Sequence, residues 1–319
     1  MRAAVLERNG PIEDIRVAEL DPPAHGSSDV LVRVHAAALN PADVKVVSGK
    51  DGGGFIHAKS FPMAIGFDFS GVVEEVGARL RGLKPGDEVF GFLPYGMSTK
   101  QGSVAELVSV KQHTVGRKPP GVSHEVAAAV GTAGCTALQA LRDKARLKAG
   151  QRVLVNGASG GVGSHAVQIA RLLGAEVWGT ASAAKSDFVR GLGASRVIDY
   201  RQTPLPSIEA KFDVVLDAAS VSSFAEAGKL LEHGGTYVTL LPSFSLLTGV
   251  LASIFSSKRC AFVGVKPRAA DLDQLADWLA TGKLSASVER SYPLTEITDA
   301  LTSLASGGVC GKLAVRVLD

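Results

Sequence analysis

RVLVNGASGGVGSHAVQIARLL, residues 152–173, is the stretch that decides the fold. An apolar strand, residues 152–157, is predicted to run into a glycine-rich turn and then into a helix that begins near Gly163. The small residues of the turn let the backbone bend tightly and approach a pyrophosphate, and the helix N-terminus offers N–H groups to the same anion. Because the turn lies between a strand and a helix, we interpret it as a dinucleotide-binding turn rather than a purely structural one.

Strands and helices alternate after this turn. Apolar strands are predicted at residues 176–181, 196–200, 213–219, 237–241 and 261–265, and helices at residues 185–192 and 224–231. This alternation is typical of an α/β fold with a doubly wound parallel sheet, whose strands are apolar because helices cover both faces.

The segments on either side of this region have a different pattern. The first third is β-rich, and near Lys118-Pro119-Pro120-Gly121 a helix-rich segment replaces it. After residue 266, two amphipathic helices and a closing strand are expected at residues 271–281, 296–305 and 312–318. We therefore predict a nucleotide-binding domain, residues 122–265, inserted between the two parts of a first domain, residues 1–121 and 266–319.

The end of the strand after the glycine turn predicts which nucleotide is bound. NAD sites carry Asp or Glu there to hold the ribose hydroxyls, whereas residues 178–182, WGTAS, contain no carboxylate. Ser182 and Lys185 offer a hydroxyl and an ammonium group to a 2′-phosphate, and Tyr200, at the end of the next strand, is placed to flank the adenosine. These residues favour NADPH, although Lys185 is also explained as a solvated helix residue.

Composition and charge exclude several classes of partner. The length of 319 residues suits two domains, and 46% hydrophobic with 20% charged residues is a globular composition. The net charge of +3, from 34 basic and 31 acidic side chains, gives no electrostatic reason to expect nucleic acid.

The cysteines and the N-terminal residues indicate the compartment. Cys135, Cys260 and Cys310 lie far apart without a CxxC motif, so we expect neither a disulfide framework nor a zinc ribbon. Free thiols fit a reducing compartment. The opening residues, MRAAVLERNG, are charged and lack the apolar run of a secretory signal, so a cytoplasmic location is expected.

Residues 234–257, GGTYVTLLPSFSLLTGVLASIFSS, form an uncharged stretch. Its length would permit a membrane span, but Pro242, the two leading glycines and the serines argue against one. We expect residues 236–241 to form a buried strand and the apolar remainder to line a pocket or a subunit contact.

Seven segments together make the chain similar to a known superfamily. The segments are LNPADVKVVSG (39–49), GFDFSGVVEEVG (66–77), LKPGDEVFGFLP (83–94), GTAGCTALQAL (131–141), NGASGGVGSHAVQIA (156–170), LGASRVIDYR (192–201) and GGVCGKLAVRV (307–317). They resemble the medium-chain dehydrogenase/reductase superfamily, and most of all its zinc-free quinone oxidoreductase branch with the chloroplast-envelope quinone oxidoreductase homologues and alkenal/enone reductases. The resemblance implies a GroES-like β-barrel domain plus a Rossmann domain, and a homodimer formed through an edge strand around residues 260–265.

The departures from the zinc-dependent members concern the metal ligands. Those members carry a Cys where this chain has Asn40-Pro41-Ala42-Asp43, and His-Glu where it has Phe67-Asp68. Without these ligands we expect no catalytic zinc, which counts against alcohol dehydrogenation. Cys135 has small apolar neighbours and is expected to be a packed core thiol.

The resemblance also assigns candidate site residues. Hydride from the nicotinamide would reach the β-carbon of an enone, and the resulting enolate would need a hydrogen-bond donor. The catalytic candidates are Asn40, Lys45 and Tyr95. Asn40 is also explained as a loop cap before proline, and Lys45 is also explained as a solvent-facing lysine. Some relatives have a tyrosine where this chain has residues 52–55, GGGF, so Tyr95 is only a substitute. The cofactor-binding candidates are Asn40, Thr136, Ser159, Gly160, Gly161, Val162, Ser182, Lys185, Tyr200, Leu240, Phe262, Val263 and Lys312.

Three functions remain open at this point. The first is NADPH-dependent reduction of an enone or alkenal, with a small apolar electrophile as substrate. The second is quinone reduction, which is chemically close because a quinone is a doubly activated enone. The third is an NADPH-binding module without catalysis, since binding and turnover are separable.

Overall fold

A computed structural model describes residues 1–50, 53–57 and 60–318, without the side chains of residues 54 and 55. Gly52 and the Phe55 side chain, where some relatives have a tyrosine, therefore lie outside the described residues. The chain divides into two compact units, one formed by Met1–Cys135 and Lys266–Asp319 and the other by Thr136–Val265. A functional division after residues 121 and 265 stays a prediction.

The strands and helices follow one another along both units. The strands are β1 (Arg2–Leu6), β2 (Arg16–Glu19), β3 (Asp29–Ala38), β4 (Met63–Ala64), β5 (Asp68–Val76), β6 (Glu88–Phe92), β7 (Leu107–Lys111), β8 (Val115–Arg117), β9 (Arg152–Asn156), β10 (Glu176–Ala181), β11 (Arg196–Asp199), β12 (Phe212–Asp217), β13 (Leu231–Thr239), β14 (Arg259–Phe262), β15 (Val288–Pro293) and β16 (Lys312–Arg316). The helices are α1 (Pro41–Ser48), α2 (Gly53–Ile56), α3 (His124–Leu138), α4 (Gly161–Leu172), α5 (Ser186–Gly191), α6 (Phe224–Ala227), α7 (Phe244–Ile254), α8 (Ala269–Ala280) and α9 (Ile297–Ala305).

The first unit is built on antiparallel pairing. One sheet has the order β15-β16-β3-β5-β6-β8, with β7 also paired to β3, and a smaller sheet has the order β2-β1-β4. β3 is central because its sequence, DVLVRVHAAA, is buried along most of its length. The core around it contains Phe67, Phe69 and Leu313. The register pairs Ala38 of β3 with Asp68 of β5 and with Ala314 of β16, so three chain segments that are distant in sequence meet at one end of the sheet.

The second unit is a parallel sheet of six strands in the order β11-β10-β9-β12-β13-β14. Numbered from β9, this is the 3-2-1-4-5-6 order of a Rossmann fold, which confirms the predicted doubly wound parallel sheet. Since all strands run in one direction, their carboxyl ends share one edge. The strand order reverses between β9 and β12, which is where nucleotides bind in such sheets.

Some elements differ from the sequence-based expectations. The helix predicted at residues 224–231 begins with the Ser223–Glu226 capping box of α6, continues as a 3₁₀ turn over Gly228–Leu230, and gives way to β13 at Leu231. Asn40, for which a loop cap before proline was the alternative explanation, is the N-cap of α1, and Pro41 is the first residue of that helix. In the segment expected to line a pocket or a subunit contact, Phe244–Ile254 form α7, with Ser243 and Phe255 as its caps. Among the described residues, no helix is long and apolar enough to cross a membrane.

Candidate active site and cofactor site

Asn40, Asp68 and Lys312 form a buried hydrogen-bonded cluster in the first unit. The Lys312 Nζ donates to Asn40 Oδ1 at 2.6 Å and lies 3.1 Å from Asp68 Oδ2. The amide Nδ2 of Asn40 donates to the same Asp68 oxygen at 2.9 Å. The three residues come together because Asn40 follows β3, while Asp68 and Lys312 begin β5 and β16, the two strands that pair with the last residues of β3. Both polar ends of the Asn40 amide are thus engaged inside this unit.

Helix α3 supplies a further hydrogen bond to the Asp68 carboxylate. The backbone N–H of Thr132 donates to Asp68 Oδ1 at 2.7 Å. A Cβ at the preceding residue, Gly131, would lie 2.9 Å from the same oxygen, so the helix needs glycine to come this close. A buried ion pair is stable only when hydrogen bonds satisfy its remaining oxygens and protons, and Asp68 meets that requirement with three donors.

Asp43, on the first turn of α1, is a second buried carboxyl beside this cluster. Its Oδ2 accepts the backbone N–H of Asn40 at 2.6 Å, whereas its Oδ1 finds no hydrogen-bond partner among the described residues. Burial raises the pKa of the Asp43 carboxyl to about 7, and Asp68 acts in the same direction, while the Asn40 N–H and the Lys312 ammonium oppose the shift. The α1 helix therefore carries a carboxyl that titrates near neutral pH.

We expect Asp43→Asn to change how stability depends on pH. In the unfolded chain this carboxyl loses its proton near pH 3.9, whereas in the folded protein it keeps the proton up to about pH 7. Between about pH 4 and pH 7 the folded state therefore binds more protons than the unfolded state, and the free energy of unfolding falls as the pH rises. An asparagine keeps an acceptor for the Asn40 N–H and carries no charge. The free energy of unfolding of the variant should therefore exceed that of the wild type by about 2–4 kcal/mol at pH 8 and differ little from it at pH 4. Urea unfolding at both pH values measures the difference. The exposed Asp187→Asn serves as control, and parallel pH profiles for wild type and Asp43→Asn would contradict the prediction.

Tyr95 lies close to the same carboxylates. Its ring packs on Phe67, with 4.2 Å between the ring centroids. Burial raises the pKa of the Tyr95 phenol well above its usual range, and the charges of Asp68 and Asp43 raise it further. A tyrosine phenol is protonated at neutral pH in any case, and the raised pKa makes this one a weaker acid than an ordinary tyrosine. Lys45 lies on α1, half-buried, and in the described part of the chain it is not a member of the hydrogen-bonded cluster.

The glycine turn of the second unit has the shape of a phosphate cradle. Gly157 has a φ of +81°, and a Cβ on Gly163 would lie 2.1 Å from the Gly157 carbonyl oxygen, so both positions require glycine. Gly160 caps α4 without a side chain, and a Cβ there would meet no atom nearer than 3.6 Å. The backbone at Gly160 is therefore open at the N-terminus of α4, and the N–H groups of Gly161 and Val162, in the first turn, have no acceptor within the helix and are available to an anion.

A buried polar network, which the sequence analysis missed, holds this turn. The Gly157 N–H donates to Thr180 Oγ1 at 3.0 Å, and that hydroxyl donates to Asn156 Oδ1 at 2.6 Å. The Asn156 amide in turn donates to Asp217 Oδ1 at 2.8 Å, and Tyr237 donates its hydroxyl to Asp217 Oδ2 at 3.1 Å. The network ties together the carboxyl ends of β9, β10, β12 and β13. A sequence signal existed, since each of these polar residues stands at or near the end of an otherwise apolar strand.

The predicted nucleotide residues follow the carboxyl ends of the parallel strands. Ser182 is buried directly after β10, and Lys185 is half-buried one turn later. Tyr200 follows β11 with 49% of its surface exposed, and the Arg201 guanidinium lies 5.9 Å from its ring centroid. Ser159 lies in the glycine turn after β9, Leu240 follows β13, and Phe262 and Val263 end and follow β14. All of these residues share one edge of the second unit.

The remaining candidates are distributed between the two units. Asn40, Lys45, Tyr95 and Lys312 belong to the first unit, and Thr136 of α3 opens the second. Cys135 is fully buried in α3. In the described ranges, no three His, Cys, Asp or Glu side chains are grouped so that they could hold a metal ion.

Comparisons with known proteins agree with this architecture. Residues 26–120 match the alcohol dehydrogenase GroES-like domain family, and residues 192–315 match a family described as zinc-binding dehydrogenase. The mitochondrial NAD(P)H oxidoreductase RTN4IP1 of Homo sapiens is 33% identical, over 100% of this chain and 89% of its own length. The 2-methylene-furan-3-one reductase of Solanum lycopersicum is 34% identical, over 98% of this chain and 75% of its own length.

A solved structure extends the agreement to three dimensions. The quinone oxidoreductase from Coxiella burnetii superposes with a TM-score of 0.91 at 30% identity, covering 100% of this chain and 99% of its own. The GroES-like and Rossmann-like folds expected from the sequence are thereby confirmed. The chain belongs to the medium-chain dehydrogenase/reductase superfamily, and it is an oxidoreductase whose relatives include NAD(P)H oxidoreductases, quinone oxidoreductases and an enone reductase.

Proposed function

We propose that the chain is an NADPH-dependent reductase that transfers hydride to the activated C=C bond of an enone or alkenal without a metal. The observation that carries this proposal is the Lys312–Asp68 ion pair, held by Asn40. Asn40 and Asp68 stand in the two segments in which zinc-dependent members of the superfamily carry metal ligands, and Lys312 reaches them from β16. Asn40 and Lys312 offer an amide and an ammonium group there, and the carboxylate of Asp68 is already neutralised, so this donor set suits zinc poorly.

The second unit fits NADPH on structural grounds. The open backbone at Gly160, with no side chain to cap α4, suits the pyrophosphate. Ser182 and Lys185 offer a hydroxyl and an ammonium group to a 2′-phosphate, and the segment between β10 and α5 has no carboxylate to repel it. Tyr200 supplies a half-exposed ring beside the adenosine position. Bound NADPH would supply the hydride.

The first unit supplies groups that act on the substrate oxygen. Tyr95 carries a phenolic proton at neutral pH, so it can donate a hydrogen bond to an oxygen that becomes an enolate. Asn40 is fixed by Lys312 and Asp68 and would orient the nicotinamide ribose, and Lys45 is a further cation of this segment. Thr136, Leu240, Phe262 and Val263 would contact the nicotinamide end.

Quinone reduction is the second candidate function. A quinone is a doubly activated enone, and a structural relative at 30% identity is a quinone oxidoreductase. A homodimer and a cytoplasmic location stay predictions from the sequence, and the relatives include mitochondrial and chloroplast proteins.

The test is to offer the protein a panel of electron acceptors and to measure the oxidation of NADPH or NADH with each one from the loss of absorbance of the reduced nicotinamide. We expect an alkyl enone and a 2-alkenal to be reduced with NADPH, while a simple ketone is not. Lys185→Ala should raise the KM for NADPH about 10–100-fold, which is about 1.4–2.7 kcal/mol for a lost contact to a charged group, and should leave the KM for NADH unchanged. The exposed Lys148→Ala is the control. Turnover of quinones alone would favour the second candidate, and a wild-type preference for NADH would contradict the cofactor assignment.

A further inference from the structure

The cluster around Asn40 holds two buried carboxyl groups but one buried cation. Asp43 and Asp68 are both fully buried, and Lys312 is buried beside them. The Lys312 ammonium pairs with Asp68 at 3.1 Å, whereas in the described part of the chain Asp43 forms no ion pair. Two carboxylates buried near each other with a single cation do not both ionise readily, because one negative charge would stay uncompensated. The cluster therefore favours one ionised carboxylate and one protonated carboxyl.

The hydrogen-bond donors around the two carboxyls decide which one holds the proton. Besides the ammonium, Asp68 accepts Asn40 Nδ2 at 2.9 Å and the Thr132 N–H at 2.7 Å. Asp43 accepts the Asn40 N–H on Oδ2, while its buried Oδ1 has no partner in the described ranges. Donors stabilise the charged form of a carboxyl, so Asp68 is the ionised group and Asp43 carries the proton on Oδ1. In agreement, burial first and the charge of Asp68 raise the pKa of Asp43 to about 7.

The charge state of Asp43 acts on Tyr95. Tyr95 lies half-buried in the loop after β6, and its pKa is raised by burial first and then by the charges of Asp68 and Asp43. A neutral Asp43 removes one of these charges, so the phenol is a stronger acid and a better donor to an oxygen that becomes negative. An ionised Asp43 would also repel an enolate directly, since little water screens charges in a buried cluster.

The other charged groups near α1 do not replace these partners. α1 packs against α2, α9 and residues 12–14. Of the acidic residues there, Glu13, Asp14 and Asp299 are exposed to water. His57, which follows α2, is buried, and its Nε2 lies 2.9 Å from the Gln101 carbonyl oxygen. On α1 itself, Lys45 is half-buried. The groups that set the protonation of Asp43, besides its burial, are the Asn40 N–H, Lys312 and Asp68.

We propose that Asp43 is a positioning residue that acts through Tyr95 in its neutral form, so that the protonated carboxyl permits the phenol to stabilise the enolate and the ionised carboxyl opposes it. This inference rests on the reaction proposed above, because it requires the substrate oxygen to lie beside Tyr95. Asp43 is neutral below about pH 7 and charged above it. The kcat/KM for an enone should therefore fall about tenfold between about pH 6 and about pH 8.5.

The experiment measures kcat/KM for an alkyl enone against pH at saturating NADPH. Asp43→Asn carries no charge at any pH, so its kcat/KM should change less than about twofold over this range and exceed that of the wild type at pH 8.5. Tyr95→Phe should lower kcat/KM about a hundredfold at pH 6 and abolish the fall at higher pH, because the donor is gone. Adding Asp43→Asn to Tyr95→Phe should then have no further effect. The exposed Asp299→Asn is the matched control and should keep the wild-type profile.

An infrared difference spectrum between pH 6 and pH 8.5 tests the protonation of Asp43 without turnover. The carbonyl stretch of an undissociated carboxyl should be present at pH 6 and lost at pH 8.5 in the wild type and in Asp299→Asn, and it should be missing in Asp43→Asn. Absence of this band in the wild type, or a wild-type fall of kcat/KM in Asp43→Asn, would overturn the inference and leave the proposed reaction standing. A wild type that reduces no enone at any pH would refute the proposed reaction, and the role of Asp43 with it.

Discussion

Gly160→Ala is expected to weaken NADPH binding about a hundredfold, about 2.7 kcal/mol, while the protein remains folded. The backbone at Gly160 has a φ of −79°, which alanine adopts without strain. The added Cβ would meet no protein atom nearer than the Gly157 carbonyl oxygen, at 3.6 Å. The methyl group would therefore fill only the space into which we propose that the pyrophosphate fits.

Two other glycines make this test specific. Gly191→Ala, on α5, has no atom within 4 Å of the added Cβ and should leave NADPH affinity unchanged. Gly163→Ala would place its Cβ 2.1 Å from the Gly157 carbonyl oxygen, so it should lower the stability of the second unit as well as its affinity for NADPH. Fluorescence titration measures affinity and thermal unfolding measures stability. If the folded Gly160→Ala variant bound NADPH as tightly as the wild type does, the pyrophosphate would not bind at Gly160, and the proposed site would be wrong.

Lys312→Met is expected to destabilise the protein by about 3–5 kcal/mol. The substitution removes the ammonium group that neutralises Asp68, and it leaves that carboxylate buried with two remaining donors, Thr132 N and Asn40 Nδ2. Methionine has a similar length, so lost volume contributes little. The cost comes from an uncompensated buried charge.

A double-mutant cycle separates the charge from the packing. Asp68→Asn/Lys312→Met removes both charges and should be more stable than Lys312→Met alone, with a coupling of about 1–3 kcal/mol between the two sites. The free energies of unfolding come from urea titrations at neutral pH, and the exposed Lys283→Met on the same unit is the control. Additive effects of the two substitutions would show that the ion pair does not stabilise the fold.

The second unit was largely predictable because its signals are local. The strand, glycine turn and helix at residues 152–173 lie within one short segment, and the parallel order follows from the alternation of apolar strands and helices. The absence of a carboxylate after β10 could be read directly from residues 178–182. The network of Asn156, Thr180 and Asp217 was not predicted, because each residue alone resembles an ordinary polar end of a strand.

The first unit was less predictable because its sheets pair segments that are distant in sequence. β1, β2, β4, β8 and β15 were not identified, since short strands acquire their identity from their partners rather than from a local pattern. Asn40 was recognised by resemblance, but α1 was missed although Asn40, Pro41 and Asp43 form a start signal for a helix.

The sequence by itself determined the class of fold, the glycine turn and the superfamily, because these depend on residues that are neighbours along the chain. Only the tertiary structure decided that Lys312 contacts Asn40 and Asp68, 272 and 244 residues away in sequence. It also decided which face of α7 is exposed. The segment is apolar or small on every side, so its pattern could not orient it, and the orientation follows from the space that Phe224 and Cys260 leave for Gly249 alone.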